Sequence, residues 1–193
     1  DHLGRFPVVM ISPSDRDLIT EGSEARRKFM DGVIAQSNKA FLDALIQYNR
    51  ALSQRNALLK YFAANRTFDA AMLELYDSQL CQWAPKIHDA RKAFIKDFEP
   101  RLKHYYAWMA GEGEAVGIAF KSAMLDQPLD ELLAEKLSKD RVLQYTSVGP
   151  HREDLVFTLH GEPLQRVGSQ GQQKSYVVAL KLAVFDALKE ALG

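Results

Sequence analysis

The sequence predicts an α/β domain interrupted by a long antiparallel helical excursion, and three patterns carry that expectation. Residues 7–11 read PVVMI, a short β-branched run, and residues 154–164 read DLVFTLHGEPL, in which apolar and polar side chains alternate; both are strand patterns. Between them, from Phe41 to Phe94, apolar residues recur at steps of three and four, the spacing of a coiled-coil face. Finally, residues 168–175 read GSQGQQKS and lead directly into YVVALKLAVFDALKEAL, a helical pattern with a glycine inside its first turn.

Taken in order, PVVMI is a buried strand closed by Ser12-Pro13, and SPSDRDLITEGSEARR is a loop with a helical turn. A first long helix is expected from about Glu24 to Ala63, with Phe41, Leu45, Tyr48, Leu52, Leu59 and Phe62 on its inner seam and Arg55 among them. At 1.5 Å per residue its length is on the order of 60 Å, so the pair it forms should project as an arm. After the break AANRTFD, a second helix carries Leu73, Tyr76, Leu80, Trp83, Ile87, Ala90 and Phe94. Pro85 and Pro100 should kink or break it, because proline removes a backbone donor and clashes with the preceding turn. AVGIAF (115–120) and VLQYTSV (142–148) are expected strands around a short helix at 129–137. In DLVFTLHGEPL, Leu155, Phe157 and Leu159 should face one side and Val156, Thr158 and His160 the other, with a turn at Gly161.

Composition narrows the function classes. With 193 residues, 47% apolar and 26% charged, the chain can bury a core. Its 25 basic residues balance its 25 acidic ones, so any nucleic-acid binding must come from local patches. One cysteine, Cys81, allows no intrachain disulfide and no cysteine-cluster zinc site, and points to the cytoplasm. No apolar run is long enough to span a membrane, so no membrane partner is expected. The chain begins without methionine and stops directly after a helix, which predicts a piece of a longer protein.

The octapeptide has two readings. Ser169 at the N-cap with Gln172 three residues on is a capping box, each side chain satisfying an amide at the other position. That leaves Gly171 unexplained, since glycine in a helix costs up to roughly 1 kcal/mol relative to alanine. The second reading supplies a reason: bare backbone at a helix N-terminus lets an anion, phosphate above all, approach unpaired amides, with Lys174 adding charge.

Several linked segments carry a resemblance. VGSQGQQKS before an aliphatic helix, VGPHREDL some twenty residues upstream, and ISPSDRDLI, GSEARRKFMD and LSQRNALLK in the first half together resemble the RecF family, bacterial recombination mediators and ABC-type ATPases related to the SMC proteins. The resemblance implies part of an ABC-type ATPase head, strands plus signature helix, with an inserted antiparallel helical-hairpin arm. Residues 1–23 would be head strand and loop, 24–112 the arm (lobe II), 113–148 strands and a short helix returning from it, and 149–193 the head hairpin, signature motif and helix. It also implies that Ser169, Gln170, Gly171, Gln172, Gln173 and Lys174 contact the γ-phosphate of ATP held by the other subunit of an ATP-dependent homodimer. Gly149, Pro150, His151, Arg152 and Asp154 would form a supporting loop, with Glu153 where the family usually writes aspartate. Ser12 and Asp15 would lie near the Q-loop region, although no glutamine occurs between Pro7 and Leu18.

The implied function is an ATP-gated DNA clamp in recombinational repair and replication-fork maintenance. It would bind gapped DNA at single-strand/double-strand junctions and, with RecO and RecR, help load RecA. Its cofactors would be ATP and Mg²⁺ in the intact dimer, with none expected on the piece alone. The chain has no GxxxxGK[ST] phosphate loop and no apolar strand ending in paired acids. The Walker A and Walker B elements would therefore flank it, and the parent would be a weak DNA-dependent ATPase of which this piece alone is inactive. The competing reading is a non-catalytic helical module that binds protein through its arm.

Other constellations have plain readings. His151 beside Arg152 and Asp154 suits hydrogen bonding in a turn as well as acid–base chemistry. His2, His88, His104 and His160 have no metal-ligand spacing and are expected to be solvated. Arg26, Arg27 and Lys28 are candidate DNA contacts. The run Lys86, Arg91, Lys92, Lys96, Arg101 and Lys103, interleaved with acids, suits a solvated helical face. Tyr105, Tyr106 and Trp108 suit packing at the root of the arm or stacking on bases.

Overall fold

In a computed structural model, residues 13–192 are described, and the expected strand at 7–11 and the candidate Ser12 lie outside them. A 3-10 turn at Pro13–Arg16 leads into α1 (Asp17–Thr20), α2 (Ser23–Ser37), α3 (Lys39–Asn65) and α4 (Ala70–Ala110). Next come β1 (Val116–Lys121) and α5 (Leu129–Leu143), with a 3-10 turn at Ala123–Leu125 between them. A 3-10 turn at Pro150–Arg152 then precedes β2 (Asp154–Leu159), β3 (Glu162–Pro163), α6 (Leu164–Val167) and α7 (Gln170–Leu192). The described chain is thus mostly helical with one small antiparallel sheet in the order β1-β2-β3. By contacts it divides into two units, one of residues 1–39, 91–121 and 154–193, the other of residues 40–90 and 122–153.

The first unit is built on the sheet. Val116 lies opposite Leu159 and Lys121 opposite Asp154, so β1 and β2 pair along their full lengths. The alternation reads through as expected: Leu155, Phe157 and Leu159 are buried, while Val156 and Thr158 are half-buried. The hairpin turns on His160 (φ 52°) and Gly161 (φ 80°), two consecutive positive-φ residues whose twist matches that of the flanking strands. Against the sheet and α2 packs α7, burying Tyr176, Leu180, Ala183 and Val184. The Tyr176 ring lies 5.1 Å from Phe157 and its hydroxyl donates to the Gly117 carbonyl at 2.8 Å. Burial pushes that hydroxyl's pKa well above the usual tyrosine value. Arg91 forks onto Asp31 (2.9 and 2.8 Å), fixing α4 to α2.

The second unit is the helical hairpin with α5. Leu59 and Phe62 of α3 and Leu73 of α4 form a core cluster, joined by Phe68 and Leu137. On α3 the buried stripe is Phe41, Ala44, Tyr48, Ala51, Arg55, Leu59 and Phe62. The expected Leu45 and Leu52 flank that stripe and are only half-buried, because two alanines occupy the seam.

Four expectations are corrected. The first helix is two, since Asn38 leaves the helical region (φ −126°, ψ 89°) between α2 and α3. Serine and asparagine side chains compete for the backbone there, and no apolar seam bridges the gap. In contrast, α4 runs 41 residues through Pro85 and Pro100 without a break. Each proline deletes one bond, while buried Ala84, Ile87, Phe98 and Leu102 hold the turns on either side. VLQYTSV is not a strand: α5 continues to Leu143 and Gln144 (φ 60°) caps it in the left-handed region. Thr146 and Ser147 then bond to side chains of Asn56 and Asp140 instead of a neighbouring strand. Last, His88 is not solvated but 5% exposed, its Nδ1 2.5 Å from the Glu153 carboxylate.

Candidate functional site: the turn at the start of α7

The turn begins on close packing. A Cβ on Gly168 would fall 2.7 Å from both the Leu164 carbonyl oxygen and its Cδ1, so only glycine fits where α6 ends. One residue on, the capping box is formed: the Ser169 amide donates to Gln172 Oε1 (2.8 Å), and the Gln172 amide donates to Ser169 Oγ (3.2 Å). The remaining Gln172 nitrogen donates to Glu114 Oε1 at 2.6 Å. Glu114 also accepts from the hydroxyl of buried Tyr106, and these two bonds hold its carboxyl below the usual glutamate range. Burial and the Glu114 carboxylate push the Tyr106 hydroxyl upward in turn.

Gly171 stands in a different position from Gly168. Among the described residues a Cβ built on it would meet only Ser169 Oγ, at 3.9 Å, so none of them requires a glycine there. The amides of Gln170 and Gly171 have no acceptor among the described residues. Ser169, Gln170, Gly171 and Lys174 are exposed, and Gln172 is half-buried by its bonds. Gln173 is buried with its nitrogen on the Gly168 carbonyl (3.0 Å) and its Oε1 without a partner among the described residues. Four of the six expected contact residues therefore lie open, and Gln172 and Gln173 brace them.

The loop before β2 belongs to the second unit and is closed on itself. Gly149 has φ 118°, and a Cβ on it would sit 2.5 Å from the Tyr48 hydroxyl. That hydroxyl lies 2.8 Å from His151 Nδ1, while His151 Nε2 lies 2.9 Å from the Thr146 carbonyl. The carbonyl only accepts, so Nε2 carries a proton, and in the neutral ring Nδ1 then accepts from tyrosine. Arg152 lies over the Tyr145 ring at 4.9 Å. Glu153 is buried, receiving Ser122 Oγ (2.8 Å) as well as His88. Deeper in the same unit, fully buried Arg55 donates to Asp77 (2.5 Å), Asp140 (2.8 Å) and Thr146 (2.9 Å). Burial raises the Asp77 carboxyl against the pull of that guanidinium.

The remaining candidates are engaged. Arg26 forks onto Asp154 (2.8 and 3.0 Å), so a residue expected to touch DNA and one expected to support the nucleotide hold each other. Burial lowers the Arg27 pKa, and Lys28 is exposed beside Glu24. Asp15 pairs with Lys181 at 2.8 Å. Arg101 bonds Asp186 (2.8 Å) and Glu190, while Trp108, expected to pack, is 76% exposed. Sequence reasoning missed Glu114 and Tyr106 as partners of the turn. Only a carboxylate and a tyrosine in chain-local proximity could have hinted at them.

A small antiparallel sheet carrying a glycine-bearing helix start, together with a helical hairpin, is the make-up of part of an ABC-type ATPase head with its arm. Comparison with known proteins narrows the class. The chain is 48% identical over 193 residues to the DNA replication and repair protein RecF of Flavobacterium johnsoniae, covering 100% of this chain and 54% of that protein. To the protein of the same name in Parabacteroides distasonis it is 44% identical over 190 residues, covering 98% and 51%. A solved structure described as the recombination mediator protein RecF-ATPrS in RecFOR pathway superposes with a TM-score of 0.91 at 29% identity, covering 98% of this chain and 53% of that one. The corresponding RecF-ATP structure gives 0.90 at 30% identity. No family model matches. The chain matches RecF proteins over 98–100% of its own length, and it spans about half the length of these curated relatives.

Proposed function

We propose that this chain supplies the signature half of a nucleotide site shared between two subunits of an ATP-gated DNA clamp. The observation that carries the reading is Gly171: nothing among the described residues demands a glycine there, and its backbone is exposed, with two amides that have no acceptor among those residues. The amides of Gln170 and Gly171 and the positive end of the α7 dipole would hold the terminal phosphate of ATP on the opposite subunit. Ser169 accepts the Gln172 amide through its oxygen, which leaves its own proton for a phosphate oxygen. Lys174, exposed one turn in, adds charge. Bound there, ATP joins two subunits and its hydrolysis releases them; Mg²⁺ accompanies the triphosphate on the opposite subunit. That relatives are named for DNA replication and repair, and that the structural neighbours carry ATP and an ATP analogue, supports the reading. The clamp would act at gapped DNA junctions with RecO and RecR and favour RecA loading.

The competing role, a protein-binding helical module, accounts for Ser169 and Gln172 as a cap but gives Gly171 no purpose. Ser169→Arg in the intact protein separates the two. The arginine covers the bare amides, so ATP-induced dimerisation followed by light scattering is lost while the fold and ATP binding by the monomer persist. Dimerisation that ignores ATP in the unsubstituted protein, or that survives the substitution, removes the proposal.

A further inference from the structure

We infer that Glu114 is a positioning residue for the phosphate-facing turn, acting through Gln172; the inference rests on the shared-site reading above. A glutamine carboxamide has one accepting and one donating end, and which end meets the Ser169 amide decides whether the capping box exists. Glu114 settles the choice. An ionised carboxylate only accepts, so Glu114 Oε1, 2.6 Å from Gln172 Nε2, draws the NH₂ toward itself and turns Gln172 Oε1 onto the Ser169 amide at 2.8 Å. The second Glu114 oxygen is fixed by the hydroxyl of Tyr106, whose ring is buried in α4, 6.2 Å from Tyr176 of α7. A chain of bonds thus runs from the core of the unit through Tyr106, Glu114 and Gln172 to Ser169. Its result is a specific set of open donors: the Ser169 and Gln172 amides are occupied, and those of Gln170 and Gly171 are left for a phosphate. If the carboxamide were free to turn over, its NH₂ would face the Ser169 N–H and the box would open.

Glu114 sits in the link between α4 and β1, far in sequence from the octapeptide, and no sequence motif marks it. The test uses the intact protein and reads the ATP concentration that gives half-maximal dimerisation, alongside ATP binding by the monomer. Glu114→Ala raises that concentration roughly tenfold, the worth of one charge-assisted hydrogen bond, and leaves monomer binding unchanged. Glu114→Gln restores it, because its oxygen still accepts from Gln172 while its nitrogen donates to the Tyr106 oxygen, whose proton can rotate away. Tyr106→Phe gives a smaller rise in the same direction and deletes only one oxygen, so it decides the matter should Glu114→Ala fail to fold. If Glu114→Ala, or Tyr106→Phe in its stead, dimerises at the unsubstituted ATP concentration while Ser169→Arg blocks dimerisation, Glu114 has no positioning role although the shared site stands. If Ser169→Arg also has no effect, the shared site itself is overturned.

Discussion

Two glycine-led polar segments, 149–153 and 168–174, look alike in the sequence and are used in opposite ways. In the first, most donors and acceptors turn inward: both His151 nitrogens are engaged and Glu153 is buried against His88 and Ser122, while exposed Arg152 lies over Tyr145. Its glycine is demanded by a backbone at φ 118° and by the Tyr48 hydroxyl. In the second, the box occupies two amides and leaves two exposed, and a Cβ on Gly171 would meet nothing closer than 3.9 Å among the described residues. The contrast teaches that a polar, glycine-rich motif is assigned by following each donor to its acceptor. A segment whose groups are engaged internally has fewer left for a ligand, while one that leaves amides exposed at a helix start can bind an anion there.

Three substitutions sharpen this comparison. The largest effect belongs to Arg55, the buried charge beneath the closed loop. Arg55→Ala leaves Asp140, itself fully buried, without its guanidinium, and should destabilise the protein by about 3–5 kcal/mol in denaturant unfolding. Gly149→Ala comes next: a side chain at φ 118° with a clash on Tyr48 should cost about 1–3 kcal/mol, read from the same unfolding curves. The smallest has the opposite sign. Gly171→Ala should stabilise the fold by up to about 1 kcal/mol, since alanine favours the helix and finds open space, yet weaken ATP-induced dimerisation. An alanine that stabilises without touching dimerisation would return Gly171 to the bland reading.

Much of this was legible in the sequence, for reasons that are local. Leu155, Phe157 and Leu159 alternate because half of a sheet faces a core, and Ser169 with Gln172 spells a cap through a three-residue spacing that needs no tertiary context. The four-three spacing marked the helical hairpin but missed the rotation of its seam, because Ala44 and Ala51 carry little hydrophobic signal and bury fully where helices approach closely. VLQYTSV was misread since β-branched residues favour strands until side-chain partners claim them. Here Asp140 and Asn56, distant in sequence or hidden in a helix, do so. His88 and Glu153 are 65 positions apart, and neither reveals the other until α4 and the loop are brought together. The prolines of α4 mark weak points that buried neighbours override.

The stub that closes the hairpin has an effect on solution behaviour. Glu162–Pro163 is two residues long, and its proline has no backbone hydrogen to give. An extended peptide, from another molecule or from a partly unfolded copy, finds on β3 itself no ladder of donors and acceptors on which to continue. At this stub the sheet is blunted against runaway strand addition and the fibrils it seeds.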